Sequence, residues 1–387
     1  MIRQPRPRLA EHRKAVGLTQ EALAEALRVD RSTVARWESG ACEPQAWIRP
    51  KLARVLGVPL EGLAKILTNR PDGTANSMLH MRVGRADPSA ARALADQVAA
   101  LAKRYDSEPS ASLVAEASQV HAAVSFLLGQ GAGESTIVEL HRTATTSASL
   151  LSQLVWDASG RRDGAAALHY CDAAIAHATA CGDRVAVAHA ELRKAYVALY
   201  GLADHRDPRL GLAGAQAAAH QSHTISQALH GLAQLHVAEA FAMLGEYRQC
   251  ELALSAADTA FGRMQPDDAA AEVFSPAQFG RLAGSCYLFL GHPERAEALL
   301  TGTVELLTDR QKTRSLVLGN LALSFIRQRE LDAAADSLHS AIDLLEQTRG
   351  GGAMTVVFGA ARELYPFRNE TVVQDIHDRL LGLMARA

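Results

Sequence analysis

Apolar residues recur at three- and four-residue spacing along nearly the whole chain, and Gly or Pro breaks that pattern at intervals. The first 67 residues read as five short helices. Leu9 to Val16 forms one, ended by Gly17. Thr19 caps the next, whose buried face is expected from Ala22, Leu23, Ala26 and Leu27. Asp30 caps a third, Arg31 to Glu38, stopped by Ser39-Gly40. A fourth runs to Val55 or Leu56 ahead of Gly57, and a fifth from Pro59 to Leu67. Pro50 between Arg49 and Lys51 removes an amide donor, so the fourth helix should start late, near Arg49, or kink.

A polar stretch over residues 68–77, with Pro71 and Gly73, reads as a linker, and Asp106-Ser107-Glu108-Pro109-Ser110 as a second break. From about residue 89 the chain is rich in Ala and Leu, and no alternating segment of strand length stands out. The expected organisation is a head over 1–67, a linker and connecting helix over 68–108, and a helical body over 109–387.

The body repeats. Turn signals begin at Gly160, Gly201, Gly245, Gly291 and Arg329, at intervals of 41, 44, 46 and 38 residues. Each lies between two apolar helices, so the unit is a helical hairpin that must stack on its neighbours to bury its apolar face. Small and large residues recur in order: Ala238, Phe241, Gly245, Leu254 and Ala257 in the third unit, then Gly284, Tyr287, Gly291, Ala296 and Leu300 in the fourth. The fifth has Ala322, Phe325, Leu331, Ala334, Leu338 and Ala341. This series resembles the tetratricopeptide repeat family over roughly 130–350. The intervals exceed the roughly 34 residues of the standard repeat, so longer helices or loops are expected. The fold class is therefore all-α: a compact five-helix head followed by a tetratricopeptide-like α-solenoid.

Composition adds compartment and charge. Of 387 residues, 48% are hydrophobic and 21% charged, as in a soluble globular protein. No run of about 18 apolar residues is free of polar breaks, and no apolar region follows the basic start, so neither a membrane span nor a signal peptide is expected. Five scattered cysteines without a Cys-x-x-Cys pair point to reduced thiols in the cytoplasm. The net charge of −2 is unevenly placed: residues 1–70 hold 13 Lys and Arg against 7 Asp and Glu, and the rest 27 against 35. A basic head on an acidic body suits a head that alone meets a polyanion.

The most specific segment is Gly17-Leu18-Thr19-Gln20-Glu21-Ala22-Leu23-Ala24, followed by Val29 to Gly40, Pro44 and Leu56-Gly57-Val58. It resembles the phage-repressor-like (Xre-type) helix-turn-helix family over residues 6–67. On the third helix Val34 and Trp37 form an inward stripe, and Arg31, Ser32, Ala35 and Arg36 the opposite face. Such a face suits the major groove, where an arginine fork spans guanine O6 and N7 together. The resemblance implies that Arg31, Ser32 and Arg36 read bases, that Gln20 meets a phosphate or base, and that Thr33 and Ser39 touch the DNA backbone. It also implies a structural ion pair between Arg13 and Glu38. The acidic loop Ala41-Cys42-Glu43 departs from the family, where basic residues often meet phosphates.

Catalytic signatures are missing: no Gly-Lys-Ser/Thr, no Gly-x-Ser-x-Gly and no His-Glu-x-x-His is present. His220, His223, His230 and His236 share one segment without accompanying cysteines, so no metal or other cofactor is expected. Gly350-Gly351-Gly352 follows a helix and reads as a flexible turn. The combined architecture resembles bacterial regulators that pair this helix-turn-helix with tetratricopeptide repeats, including peptide-pheromone receptors. It implies a non-enzymatic, cytoplasmic transcriptional regulator that binds double-stranded DNA as a homodimer. Its solenoid would sense a peptide, small molecule or protein partner. An interaction scaffold, or an antitoxin or phage-defence regulator paired with a neighbouring protein, remain the alternatives. The effector is expected on the concave face of the solenoid, along helices 184–200, 228–244, 276–290 and 314–328. Arg193, Lys194, Gln234, His236, Glu239, Arg281 and Asn320 are the polar groups there that a structural stripe does not need.

Overall fold

The computed structural model describes residues 9–10, 13–14, 18–56, 58, 63, 66–67, 86–201, 206–273 and 275–385. The chain falls into two compact units, Met1–Gly84 and Arg85–Ala387, and the described residues are helical with no strand.

In the smaller unit three helices are described in full: α1 (Gln20–Leu27), α2 (Arg31–Glu38) and α3 (Arg49–Val55). Thr19 Oγ1 accepts the Ala22 N–H at 3.1 Å and caps α1. Arg28 then turns the chain in the left-handed region, at φ 59°, and its N–H closes onto the Ala24 and Glu25 carbonyls. Asp30 sits at the N-cap of α2 in extended geometry, but its side chain makes no cap bond, against expectation. The buried face of α1 also differs from the sequence reading. Leu23, Ala24 and Leu27 are buried, whereas Ala26 is exposed, because the leucines set the direction that packs on Val34 and Trp37. A 3-10 turn over Ala46–Ile48 precedes α3, which starts at Arg49 with Pro50 in its first turn, where a missing N–H costs no helical bond. Helical residues Leu9, Leu63, Ile66 and Leu67 complete the core. The expectations on Val16, Gly17, Gly57, Pro59 and the linker 68–77 lie outside the described residues.

The larger unit is a stack of helical hairpins: α4 (Pro88–Arg104) with α5 (Ser110–Gly129), α6 (Glu134–Ala158) with α7 (Gly164–Ala180), and α8 (Arg184–Tyr200) with α9 (Pro208–Ser222). It continues with α10 (Gln227–Met243) and α11 (Tyr247–Gly262), α12 (Pro276–Phe289) and α13 (Pro293–Glu305), and α14 (Gln311–Gln328) and α15 (Leu331–Thr348). A last hairpin, α16 (Gly351–Glu363) and α17 (Thr371–Ala385), lies beyond the span read as repeats. The five turn signals all fall in interhelical loops. Ala257, Ala296, Ala322, Ala334 and Ala341 are fully buried where helices cross. At Gly284 a Cβ would lie 2.6 Å from the Leu300 side chain, so only glycine lets α12 and α13 approach this closely.

Two boundaries differ from the sequence reading. Helix α4, expected as a connector, packs through Val98 and Leu101 against Leu113 and Leu151 in the larger unit. Gly351 and Gly352 are not a loose turn but the buried first turn of α16. A Cβ on Gly351 would stand 2.4 Å from the Asp157 carbonyl oxygen, so backbone meets backbone there. The stretch Ser110–Gln130 has the length and mean hydropathy, 1.3, of a spanning helix. Its Leu113, Ala117, Val120, Val124 and Leu127 are packed inside the unit.

The array turns back on itself. Lys312, at the start of α14, donates to Ser110 Oγ at 2.7 Å and lies 3.3 Å from the Asp157 carboxylate. Ser110 donates to Asp157 at 2.7 Å, and the Gly352 N–H to the same carboxylate at 3.2 Å. Asp106 accepts from Thr313 and pairs with Arg310. The concave face where the effector is expected is therefore closed at one side by these contacts.

Candidate functional site

Two sites emerge, one in each unit. In the smaller, α2 is held from beneath by Val34 and Trp37, which are 0% and 3% exposed. Its other face presents Arg31, Ser32 and Arg36 to solvent, with Thr33 and Ala35 half-buried. Arg36 lies along the helix, donating to the Ser32 carbonyl at 3.3 Å and to Thr33 Oγ1 at 3.5 Å. Arg31 pairs with Glu21 of α1 at 2.6 Å, both of them exposed. Ser39 Oγ donates to the Arg36 carbonyl at 3.1 Å.

Beneath this face is a buried lock. Arg13 Nε donates to Glu38 Oε1 at 2.7 Å, and its Nη1 to the Leu18 carbonyl at 2.7 Å. Gln20 Nε2 donates to the other Glu38 oxygen at 2.6 Å. Gln20, expected at a phosphate or base, is thus turned inward onto Glu38, where it shares Oε2 with Arg13 Nη2, which donates to the same oxygen at 3.3 Å. The acidic loop is offset locally: Glu43 is bridged by Arg49 at 2.9 Å. Trp47, 63% exposed on the short turn before α3, was not singled out by the sequence.

In the larger unit the first helices of the hairpins, α6, α8, α10, α12 and α14, surround a cavity of about 460 Å³. Its wall is polar and aromatic. Arg193 donates to Gln153 at 3.0 Å, and Arg161 lies over the rings of Trp156 and Tyr200 at 5.0 and 5.5 Å. The His236 and Tyr196 rings meet at 45° with centroids 4.2 Å apart. His236 Nδ1 meets the Tyr200 hydroxyl at 2.6 Å, and that hydroxyl donates to Glu239. Ser285 donates to the remaining Glu239 oxygen at 2.7 Å. Burial pushes the Tyr200 phenol well up and holds His236 down, hence neutral. Burial also opposes the Glu239 carboxylate, but its hydrogen bonds with His236 and Tyr200 and the facing Arg281 guanidinium outweigh it and hold it below the usual carboxylate range.

A family described as "Helix-turn-helix domain" matches residues 7–65. Over 49 residues the chain is 45% identical to an uncharacterized HTH-type transcriptional regulator of Methanothermobacter thermautotrophicus, a span of 13% of this chain and 71% of that protein. The chain belongs to the helix-turn-helix transcriptional regulators. Among solved structures, the regulator is similar to the Rap protein complexed with competence and sporulation factor, with a TM-score of 0.43 and 10% identity over 76% of this chain and 98% of that one. It is also similar to Bacillus thuringiensis PlcR in complex with the peptide PapR7 and DNA, with a TM-score of 0.32 and 13% identity over 100% and 98% of the two chains.

Of the regulator's residues expected at an effector, the cavity brings together Arg193, His236 and Arg281. Lys194 points away and pairs with Asp172 at 3.0 Å. Glu239 lies behind the wall, bonded to Tyr200 and Ser285. Gln234 and Asn320 are not among the lining residues, so Asn320 does not offer its amide to this chamber. Arg161, Trp156, Tyr196 and Tyr200 were missed. Arg161 sits at φ 63° in a turn whose sequence reads only as a break, and nothing in that sequence marks its side chain as pointing inward. The histidine segment splits: His236 enters the cavity wall, while His223 and His230 meet edge to face at 4.9 Å.

Proposed function

We propose that this regulator binds specific DNA sequences through α2 and responds to an effector held in the repeat-unit cavity, acting as a homodimer in the cytoplasm. Arg31, Ser32 and Arg36 read base edges, and Thr33 and Ser39 meet the phosphate backbone. Gln20 serves the Arg13–Glu38 lock that fixes the angle of α2. The observation that carries the reading is the division of α2 into an anchored apolar side and an exposed side bearing two arginines. A dimer follows from surface area, since one recognition helix covers too little DNA for high affinity.

The test starts from an operator selected out of a random duplex pool with the full chain. Arg36→Ala should lose about 1–3 kcal/mol of specific affinity with an unchanged melting temperature. Equal operator binding by variant and parent would overturn the assignment of α2.

A further inference from the structure

Five buried side-chain nitrogens have no hydrogen-bond partner among the described residues, and three of them, Trp156 Nε1, Arg193 Nε and His236 Nε2, belong to the wall of one cavity. Unmet polar atoms are costly where water is scarce, so their convergence marks a place where a ligand completes the bonding. His236 is 1% exposed and cannot turn to bulk water.

The hydrogen bonds give each atom a role. Tyr200 donates its only hydroxyl proton to the Glu239 carboxylate, so neutral His236 bonds Tyr200 through Nδ1–H. Its Nε2 is then a bare acceptor. Trp156 Nε1 is a donor only, and Arg193 Nε carries a proton and a positive charge.

The charges on the wall are unequal. Lys312 is matched by Asp157 and Arg310 by Asp106. Arg161, Arg193 and Arg281 have no carboxylate within ion-pair distance among the described residues, and Glu272 is the remaining lining acid. Glu239 stands nearby, its oxygens taken by Tyr200 and Ser285. The guanidiniums act on common ground: Arg193 and Arg281 both favour the charged form of Tyr196, and Arg281 disfavours the charge on Arg161. The rings of Tyr196, Tyr200 and His236 line the same wall, with Tyr196 5.9 Å from Tyr200 and 4.2 Å from His236.

We propose that this cavity binds one compact organic anion with a flat aromatic body: its acid group on Arg193 and Arg281, its ring against Tyr196, and a hydroxyl or N–H donor on His236 Nε2. A cavity of about 460 Å³ is the size of a small-molecule site, so of the peptide, small molecule and protein partner expected from the sequence it favours the small molecule. This deepens, and rests on, the reading of the cavity as the effector site.

The full chain is titrated calorimetrically, without DNA, with 6-hydroxy-2-naphthoate and with its uncharged primary amide. The acid should bind at one per chain and at least tenfold more tightly than the amide. Arg281→Gln and Arg193→Gln should each erase most of that preference while the chain still melts cooperatively, and Arg281→Lys should keep part of it. Equal binding of acid and amide, no binding of either, or a preference that survives both glutamine variants overturns the proposal. Acid binding that never alters operator affinity would instead leave the anion site standing and remove the effector role.

Discussion

Lys312 donates to Ser110 across 2.7 Å although 202 positions separate them in the chain. The contact joins the start of α14 to that of α5 and rests on Asp157, with the Tyr105 ring 4.2 Å from the ammonium. Burial lowers the Lys312 ammonium against the pull of Asp157, so the ion is held charged by its partners alone. Lys312→Met should destabilise the larger unit by about 3–5 kcal/mol, because it strands a buried carboxylate. Lys312→Met with Asp157→Leu should recover much of the loss. A denaturant melt in which the double variant is no better than the single one would show that the pair is not a closed unit.

Arg13 and Arg31 both bridge to glutamates, in opposite environments. The Arg13–Glu38 pair is buried, with side chains 8% and 10% exposed, whereas those of Arg31–Glu21 are 66% and 61% exposed. Arg13→Ala should cost about 3 kcal/mol in the stability of the smaller unit. Arg31→Ala should leave stability alone and weaken operator binding. Melts and operator titrations of the two variants separate these roles; identical profiles refute them.

Acid should loosen the larger unit before its carboxylates titrate. Burial, then Arg193 and His236, press His189 from 6.5 down to about 3, and burial brings His121 to about 4. His189 is one of the residues that line the cavity. An unfolded chain takes up these protons near pH 6.5 while the folded chain refuses them. Stability present above pH 6.5 is therefore lost as the pH falls toward those lowered values. The melting temperature should drop between pH 6.5 and about 5, before most carboxylates protonate, and less steeply in His189→Gln. A flat melting temperature over that interval contradicts this account.

Most of the apolar stripe on α17 is spent inside the chain. Val373, Ile376, Leu380 and Leu383 are buried, leaving Leu381 and Met384 at 58% and 49% exposed. If the homodimer forms there, Leu381→Glu with Met384→Glu should give a monomer in sedimentation at micromolar concentration, with an unchanged melt. A dimer that persists places the contact elsewhere.

Local sequence signals determined the described helices, the bounds Arg31–Glu38, the start of α3 at Arg49 beside Pro50 and the hairpin turns, because each depends on residues a few positions apart. The outward face of α2 was legible for the same reason: Val34 and Trp37 fix the inside, so Arg31, Ser32 and Arg36 have one side left. The inward turn of Gln20 depended on Glu38, 18 residues away, and spacing carries no signal for it. The larger site was less legible still. Polar residues on α8, α10, α12 and α14 look alike in sequence, and only the stacking angle between hairpins decides that Arg193 and Arg281 face one chamber while Lys194 and Asn320 do not. The buried Gly351 and Gly352, and Lys312 on Asp157, belong to contacts more than 150 residues apart, which only the folded array brings together.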